Sequence, residues 1–381
     1  MKVAVTTLAF CVAALLALGL VMLYSSSMTQ VGARYLMMQL VWGAFGFAFC
    51  VAATALDYQW LKKSAGPIFI VALILLALVL VPHIGRKING ARRWFDFHGM
   101  RFQPSEFAKL ALIILLAWYG DHFQRHMQTW KRGILLPGVL IALVLGLIFV
   151  EPDRGTTILL AMVGGAMLLL AGVCWKFIVP PVLLGVAGLT ISLLHDPMRM
   201  RRIFSWWDLE QHKDGVGYQA YQAMIAFGSG GWTGLGLGNS RQKLGFLPEH
   251  YTDFIFSIVG EELGLITTLL VVLAFVAIVL CGLYIALNAR DPFGFLLASG
   301  VTCLIGLQAA INIGVVTSAL PNKGLPLPFI SYGGSNLLAM LTCVGLLFSI
   351  ARHAPAREKV REKSRATASA IDENPFAAKA T

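Results

Sequence analysis

The feature that most constrains this chain is a succession of apolar stretches that continues almost from end to end. They run over residues 3–23, 37–56, 66–82, 104–119, 134–150, 156–173, 177–194, 254–286, 293–318 and 330–351. A helix rises about 1.5 Å per residue, so each can cross a hydrocarbon layer about 30 Å thick. None alternates with a period of two, and lipid offers no partner to an unpaired amide, so a β-barrel is excluded and a helical bundle remains. The expectation is an all-α polytopic membrane protein with ten transmembrane helices and a large extracytoplasmic loop between helices 7 and 8. Only 13% of the residues are charged, against about 25% in soluble domains. The first stretch is longer than a signal-peptide core and lacks a small-x-small cleavage site, so it reads as a retained span. The six cysteines lie in or beside apolar segments and imply neither a disulfide framework nor a metal knot.

An even number of spans puts both termini on one side. The chain is nevertheless basic, with a net charge of +11. Its lysines and arginines divide evenly between the two sides, so the positive-inside rule does not orient the protein from totals, although the basic tail favours an internal C-terminus. External loops normally avoid such residues, and their presence points to an anionic partner there. Residues 1–352 form the membrane domain, and 353–381 read as a disordered basic tail. A connection of about 60 residues separates the seventh and eighth spans, long enough to be functional. Its Trp206, Trp207 and glycine-rich 228–238 argue for order at the membrane surface.

Several motifs carry chemistry. Arg86, Lys87, Arg92, Arg93 and Arg101, with Trp94 among them, suit a phosphate or diphosphate group, or equally an anionic lipid surface. The fourth span opens with Pro104 and Glu106 and places Lys109 at i+3 on the same face. Ionisable groups at membrane depth mark function, or an ion pair that fixes packing. In FLPEHYTDFIF, Glu249 and Asp253 stand where polar loop becomes apolar span. A carboxylate there could act as a base, or Thr252 and Asp253 could cap the helix. Glu261 and Glu262 lie deeper and could pair with Lys109 or an arginine. The turn Glu151-Pro152-Asp153-Arg154-Gly155 reads as self-neutralised. The stretch GLPLPFISYGGSN (324–336) breaks the helix at the mouth of the last span. No nucleotide-binding loop or HExxH occurs, and the histidines lack metal spacing. No metal site and no nucleic-acid partner are expected, so any reaction must draw its energy from an activated substrate.

Taken jointly, NGARRW (89–94), QPSEFAKLAL (103–112), GYQAYQ (217–222), GLGNSRQKLGFLPEHYTDFIFSIVGEELG (236–264) and GLPLPFISYGGSN resemble the SEDS family of bacterial peptidoglycan polymerases (shape, elongation, division and sporulation). The resemblance covers residues 5–352, and GLGNSRQKL looks more like the FtsW division branch than RodA. Two departures stand out: Tyr251 replaces the usual histidine before TDFIF, and PDLGT appears as PDRGT with Arg154. The resemblance implies ten helices with cytoplasmic termini in the bacterial inner membrane, at the division septum. It implies polymerisation of lipid II into β-1,4-linked glycan at the outer face, alongside a class B penicillin-binding protein transpeptidase and other divisome proteins. Asp253 matches the family's proposed catalytic aspartate. Arg92, Arg93, Lys109, Arg202 and Lys243 become candidates for the diphosphates, and Glu106 matches the acid of a buried pair. Gln242, Glu249 and Ser331 complete the candidate substrate-contacting set. No cofactor is evident, and a divalent cation at the diphosphate stays open although the sequence does not indicate one. Alternatives are a lipid II flippase, which needs no base at the outer surface, and a RodA-like elongation polymerase. A generic solute transporter would instead show repeated halves and acids near mid-membrane.

Overall fold

A computed structural model of the chain describes residues 1–27, 32–88, 90–97, 100–248 and 250–354, with Arg202 represented by its backbone alone. The tail beyond 354 and Glu249 lie outside the described residues. The long helices follow the apolar runs closely: α1 (Lys2–Ser27), α2 (Arg34–Ala55), α3 (Gln59–Leu80), α4 (Pro104–His122), α5 (Leu136–Val150), α6 (Arg154–Leu170) and α7 (Trp175–Leu194). Two shorter helices follow, α8 (Pro197–Trp207) and α9 (Tyr218–Gly230), and then α10 (Ile255–Leu287), α11 (Pro292–Val316) and α12 (Gly334–His353). Among the described residues, eight helices are long and apolar enough to cross a membrane. Helix α5 reaches that length together with the helical turn Trp130–Leu135 that leads into it, whereas α6 stops at 17 residues and α4 carries Glu106, Lys109 and Asp121 within it.

One expectation needs correction. The polar connection between α3 and α4 is not irregular but folds into a three-stranded antiparallel ribbon, β1 (Arg86–Ile88), β2 (Ala91–Phe97) and β3 (Met100–Phe102), in the order β1-β2-β3. The protein is therefore mostly helical rather than all-α. Cross-strand charge pairing between Arg86 and Asp96 helps fix the ribbon. The long connection before α10 is ordered, as its aromatic content implied, and contributes α8 and α9.

Helix α4 is the hub. It is buried along almost its whole length and packs against α3, α5, α6, α11 and α12. A helix screened from lipid by five neighbours can carry ionisable side chains that a peripheral helix cannot. Helix α7 is mostly exposed, with Ile178 buried near its start, and its sequence is correspondingly apolar. The connections gather at two ends. At one end Tyr58 hydrogen-bonds Asp291, Lys62 pairs with Asp121 at 2.5 Å, and His353 packs its ring against Tyr58. The opposite end holds the ribbon, the 151–153 turn, α8, α9 and the 317–333 segment.

Helix α10 is broken at Gly264, whose φ of 76° and ψ of −176° are not helical. The groups freed by the break are paired by an extended segment crossing it. Leu235 and Gly236 donate their amides to the Glu261 and Glu262 carbonyls at 3.0 and 2.9 Å, and Leu265 and Ile266 donate to the Gly231 and Trp232 carbonyls at 2.9 and 3.3 Å. A side chain at Gly264 would lie 2.5 Å from the Trp232 carbonyl oxygen, so only glycine permits both the turn and the crossing.

Candidate active site at the polar end of the bundle

Asp253 lies in the turn just before α10. Phe254 occupies the cap position of α10, with Thr252 and Asp253 in the turn that precedes it. The carboxylate rests directly on the backbone of Gly324, where any Cβ would come 2.6 Å from Asp253 Oδ2. Asn312 of α11 holds the turn and the loop together, donating through Nδ2 to the carbonyls of Asp253 at 2.8 Å and Leu325 at 2.6 Å. The Tyr332 amide donates to the Tyr251 carbonyl at 3.0 Å. The Tyr35 ring lies against those of Tyr251 and Tyr332, at 4.7 and 4.8 Å, while both nitrogens of buried His250 face carbonyl oxygens, of Leu247 and Ser26.

One turn along α11 from Asn312, Gln308 bonds the second cluster. Lys109 is fully buried, at 0% exposure; its Nζ meets Glu106 Oε2 at 2.8 Å and Gln308 Oε1 at 2.9 Å. Gln308 in turn donates to the Pro326 carbonyl and to Asn336 Oδ1. The Glu106–Lys109 pair is thus linked through α11 to the loop on which Asp253 rests. Beside it, an apolar groove of about 370 Å³ extends between α2, α3, α4 and α12, from Phe102, Glu106 and Ser335 at the polar end to Asp57 and Tyr58 at the other.

The remaining candidates are distributed unevenly. Lys243 is only 3% exposed, and its Nζ contacts Glu262 Oε1 at 2.9 Å, the Gly238 carbonyl at 2.7 Å and Ser25 Oγ at 3.2 Å. Of the partners considered for Glu262, Lys109 is therefore replaced by Lys243. Glu261 accepts from Ser240 and from the amides of Arg241 and Gln242, and Gln242 itself is buried beneath them. Arg93 donates to the carbonyls of Glu151 and Pro152 at 2.9 and 2.6 Å, whereas Arg92 is partly exposed on β2. Buried Ser331 closes its own turn by accepting from the Leu327 amide. The structure thus brings Glu106, Lys109 and Asp253 into one network and commits Lys243 to another.

The acidic turn departs from its reading as self-neutralised. Among the described residues Arg154 pairs with neither acid: Nη2 donates to Ser192 Oγ at 2.6 Å and the guanidinium lies 5.1 Å from the centre of the Phe149 ring. Asp153 caps α6 through the Thr156 amide at 3.1 Å. Glu151 is 0% exposed and neither carboxylate oxygen has a hydrogen-bond partner. Burial, reinforced by the Asp153 charge and opposed by Arg93, pushes its pKa from 4.5 to about 8. Between those values the folded protein holds a proton that the unfolded chain has released, so stability falls as pH rises through this window. Melting temperatures of the purified protein should drop from about pH 5 to about pH 8.5, and Glu151→Gln should flatten that slope. An unchanged slope would remove Glu151 as its source.

Residues 6–356 match the family model for FtsW, RodA and SpoVE, described as cell cycle protein. The chain is 40% identical over 345 residues to a probable peptidoglycan glycosyltransferase FtsW of Trichlorobacter lovleyi, covering 89% of this chain and 91% of that one. It is also 40% identical over 352 residues to the corresponding protein of Coxiella burnetii, covering 90% and 94%. Among solved structures, a chain from a peptidoglycan synthase complex that coordinates polymerization and crosslinking superposes with a TM-score of 0.77 at 29% identity, over 91% of this chain and 96% of that one. The Thermus thermophilus rod shape determining protein RodA gives 0.70 at 29% identity, over 92% and 97%.

Proposed function

Because the chain belongs to the FtsW, RodA and SpoVE family, the SEDS proteins, we propose that it is a peptidoglycan glycosyltransferase that polymerises lipid II for the septal wall of a dividing bacterium. The observation that carries this reading is the Asp253 carboxylate, seated on Gly324 at the polar end of a bundle whose apolar groove suits a polyprenyl chain. In the reaction, the acceptor sugar's 4-hydroxyl attacks the donor's anomeric carbon. The bond to the diphosphate breaks, undecaprenyl diphosphate leaves, and Asp253 takes the hydroxyl proton. Cations near the leaving group stabilise its charge.

Ten helices cross the cytoplasmic membrane in this reading, the eight apolar spans together with α4 and α6. Both termini then face the cytoplasm and the Asp253 end faces outward. The partner is a class B penicillin-binding protein, consistent with the chain's likeness to part of a peptidoglycan synthase complex, and other divisome proteins surround the pair.

The deciding experiment reconstitutes the full chain with its cognate transpeptidase in detergent and supplies labelled lipid II. Detergent removes any need for flipping, so glycan polymer supports the polymerase and its absence would sink that reading. Gly324→Ala should lower polymer yield about tenfold, since its methyl group displaces the Asp253 carboxylate from its reacting position. Full activity in that variant would show that the contact is not used.

A further inference from the structure

The ribbon between α3 and α4 sorts its charges onto one side. Side chains alternate along a strand, so Ala91, Arg93 and Phe95 of β2 share one face, and Arg92, Trp94 and Asp96 share the other. Ala91 and Phe95 are buried and Arg93 grips the Glu151 and Pro152 carbonyls, so the first face is turned to the bundle. Residues directly opposed across antiparallel strands lie on the same side. Arg101 opposes Asp96, Arg86 opposes Trp94 and Lys87 opposes Arg92, with the register shifting between Arg86 and Lys87. That irregularity keeps two successive cations on the outer face, where strict alternation would send one inward. Arg86, Lys87, Arg92 and Arg101 therefore stand together on the side away from the bundle, with Trp94 among them.

The acid on this face, Asp96, pairs with Arg86. Lys87, Arg92 and Arg101 have no carboxylate partner among the described residues, and Lys87 and Arg101 are exposed. Like charges on neighbouring strands repel unless an anion answers them. The connections of the ribbon limit where that anion is. Five residues, 81–85, join α3 to β1, and Gln103 alone joins β3 to α4. At about 3.4 Å per residue, Arg101 lies within about 10 Å of the first residue of α4, which is headgroup depth for a spanning helix. Half-buried Trp94 suits the same level, where an indole meets hydrocarbon on one side and water on the other. An acidic protein domain needs a face raised clear of the bilayer, and the single-residue link at Gln103 holds this one down.

We propose that the outer face of the ribbon binds the phosphate headgroups of anionic phospholipids surrounding the protein, and so ties the α3–α4 connection to the membrane surface. Guanidinium groups meet a phosphate as planar forks and the Lys87 ammonium as a point charge. The placement of α4 as a span, and of this face at the outer leaflet, rests on the polymerase reading.

The test measures equilibrium binding of fluorescent phosphatidylglycerol to the purified full chain in an uncharged detergent, with phosphatidylcholine bearing the same fluorophore as the zwitterionic control. The wild type should bind phosphatidylglycerol about tenfold more tightly, and the preference should shrink as salt rises. Lys87→Gln and Arg101→Gln should each weaken phosphatidylglycerol binding about fivefold and leave phosphatidylcholine binding unchanged. Both are exposed strand positions, and the Arg101 carbonyl still accepts from Ser335 in its variant, so neither change threatens the fold. Lys213→Gln removes the same charge from an exposed position between α8 and α9 and should change nothing. A loss from Lys213→Gln as large as from the ribbon variants would show that net charge is read and not this face, which overturns the site. Equal binding of the two lipids by the wild type would overturn it as well and leave the face to an acidic protein partner. No lipid II is present and no turnover is read, so absence of polymer in the reconstitution would sink the polymerase and leave this result standing.

Discussion

Asp253→Asn is expected to fold and to assemble with its partner, yet to form glycan about 10³-fold more slowly, the usual contribution of a positioned general base. The amide keeps the size of the carboxylate and its seat on Gly324, while Asn312 bonds the backbone carbonyl and not the side chain. The change therefore removes the proton acceptor and keeps the side chain's size at its seat on Gly324. A polymerisation assay at saturating lipid II separates a loss in kcat from one in KM. A loss confined to KM would make Asp253 a binding group, and unchanged rates would remove it from the reaction.

Lys109→Met should be the most destabilising single substitution in the core. Glu106 and Lys109 are almost wholly buried and 2.8 Å apart. Deleting one partner of such a pair costs about 3–5 kcal/mol, because the other charge is left without compensation. Combining Lys109→Met with Glu106→Gln should recover most of that loss, since no buried charge then remains. Melting temperatures of the four proteins in one detergent test this directly. If the double variant is as unstable as the single one, the cost lies in the Gln308 contacts of Lys109 and not in the orphaned acid. Activity in the folded double variant would show that the pair positions the Gln308–Asn312 face of α11 rather than meeting substrate.

Much of the architecture was legible because lipid allows few solutions. The span limits read from apolar runs agree with the helices to within a few residues through most of the chain; α3 begins earlier, at Gln59, because its first turns are polar and half-exposed. The ribbon at 86–102 was not legible, since strands this short give no reliable alternation and their arginines had already suggested a ligand-binding loop. The charged turn misled for another reason. Opposite signs adjacent in sequence suggest neutralisation, but Arg154, at the helical start, spends its guanidinium on Ser192 and Phe149. Lys243 and Glu262 pair only because the chain returns across the break in α10, and the start of α6 packs on Leu325 through Gly155. Such long-range meetings leave no trace in spacing.

The break in α10 has a further meaning for how the protein is made. The four backbone groups freed near Gly264 find partners in residues 231–236, which are synthesised before the helix but belong to the surface connection. A helix entering the bilayer with those groups unpaired bears a cost of several kcal/mol for each. Insertion of α10 and docking of the preceding connection are therefore one event in biogenesis. A truncation or insertion between α9 and α10 is consequently registered first as failed membrane integration, before any question of catalysis arises.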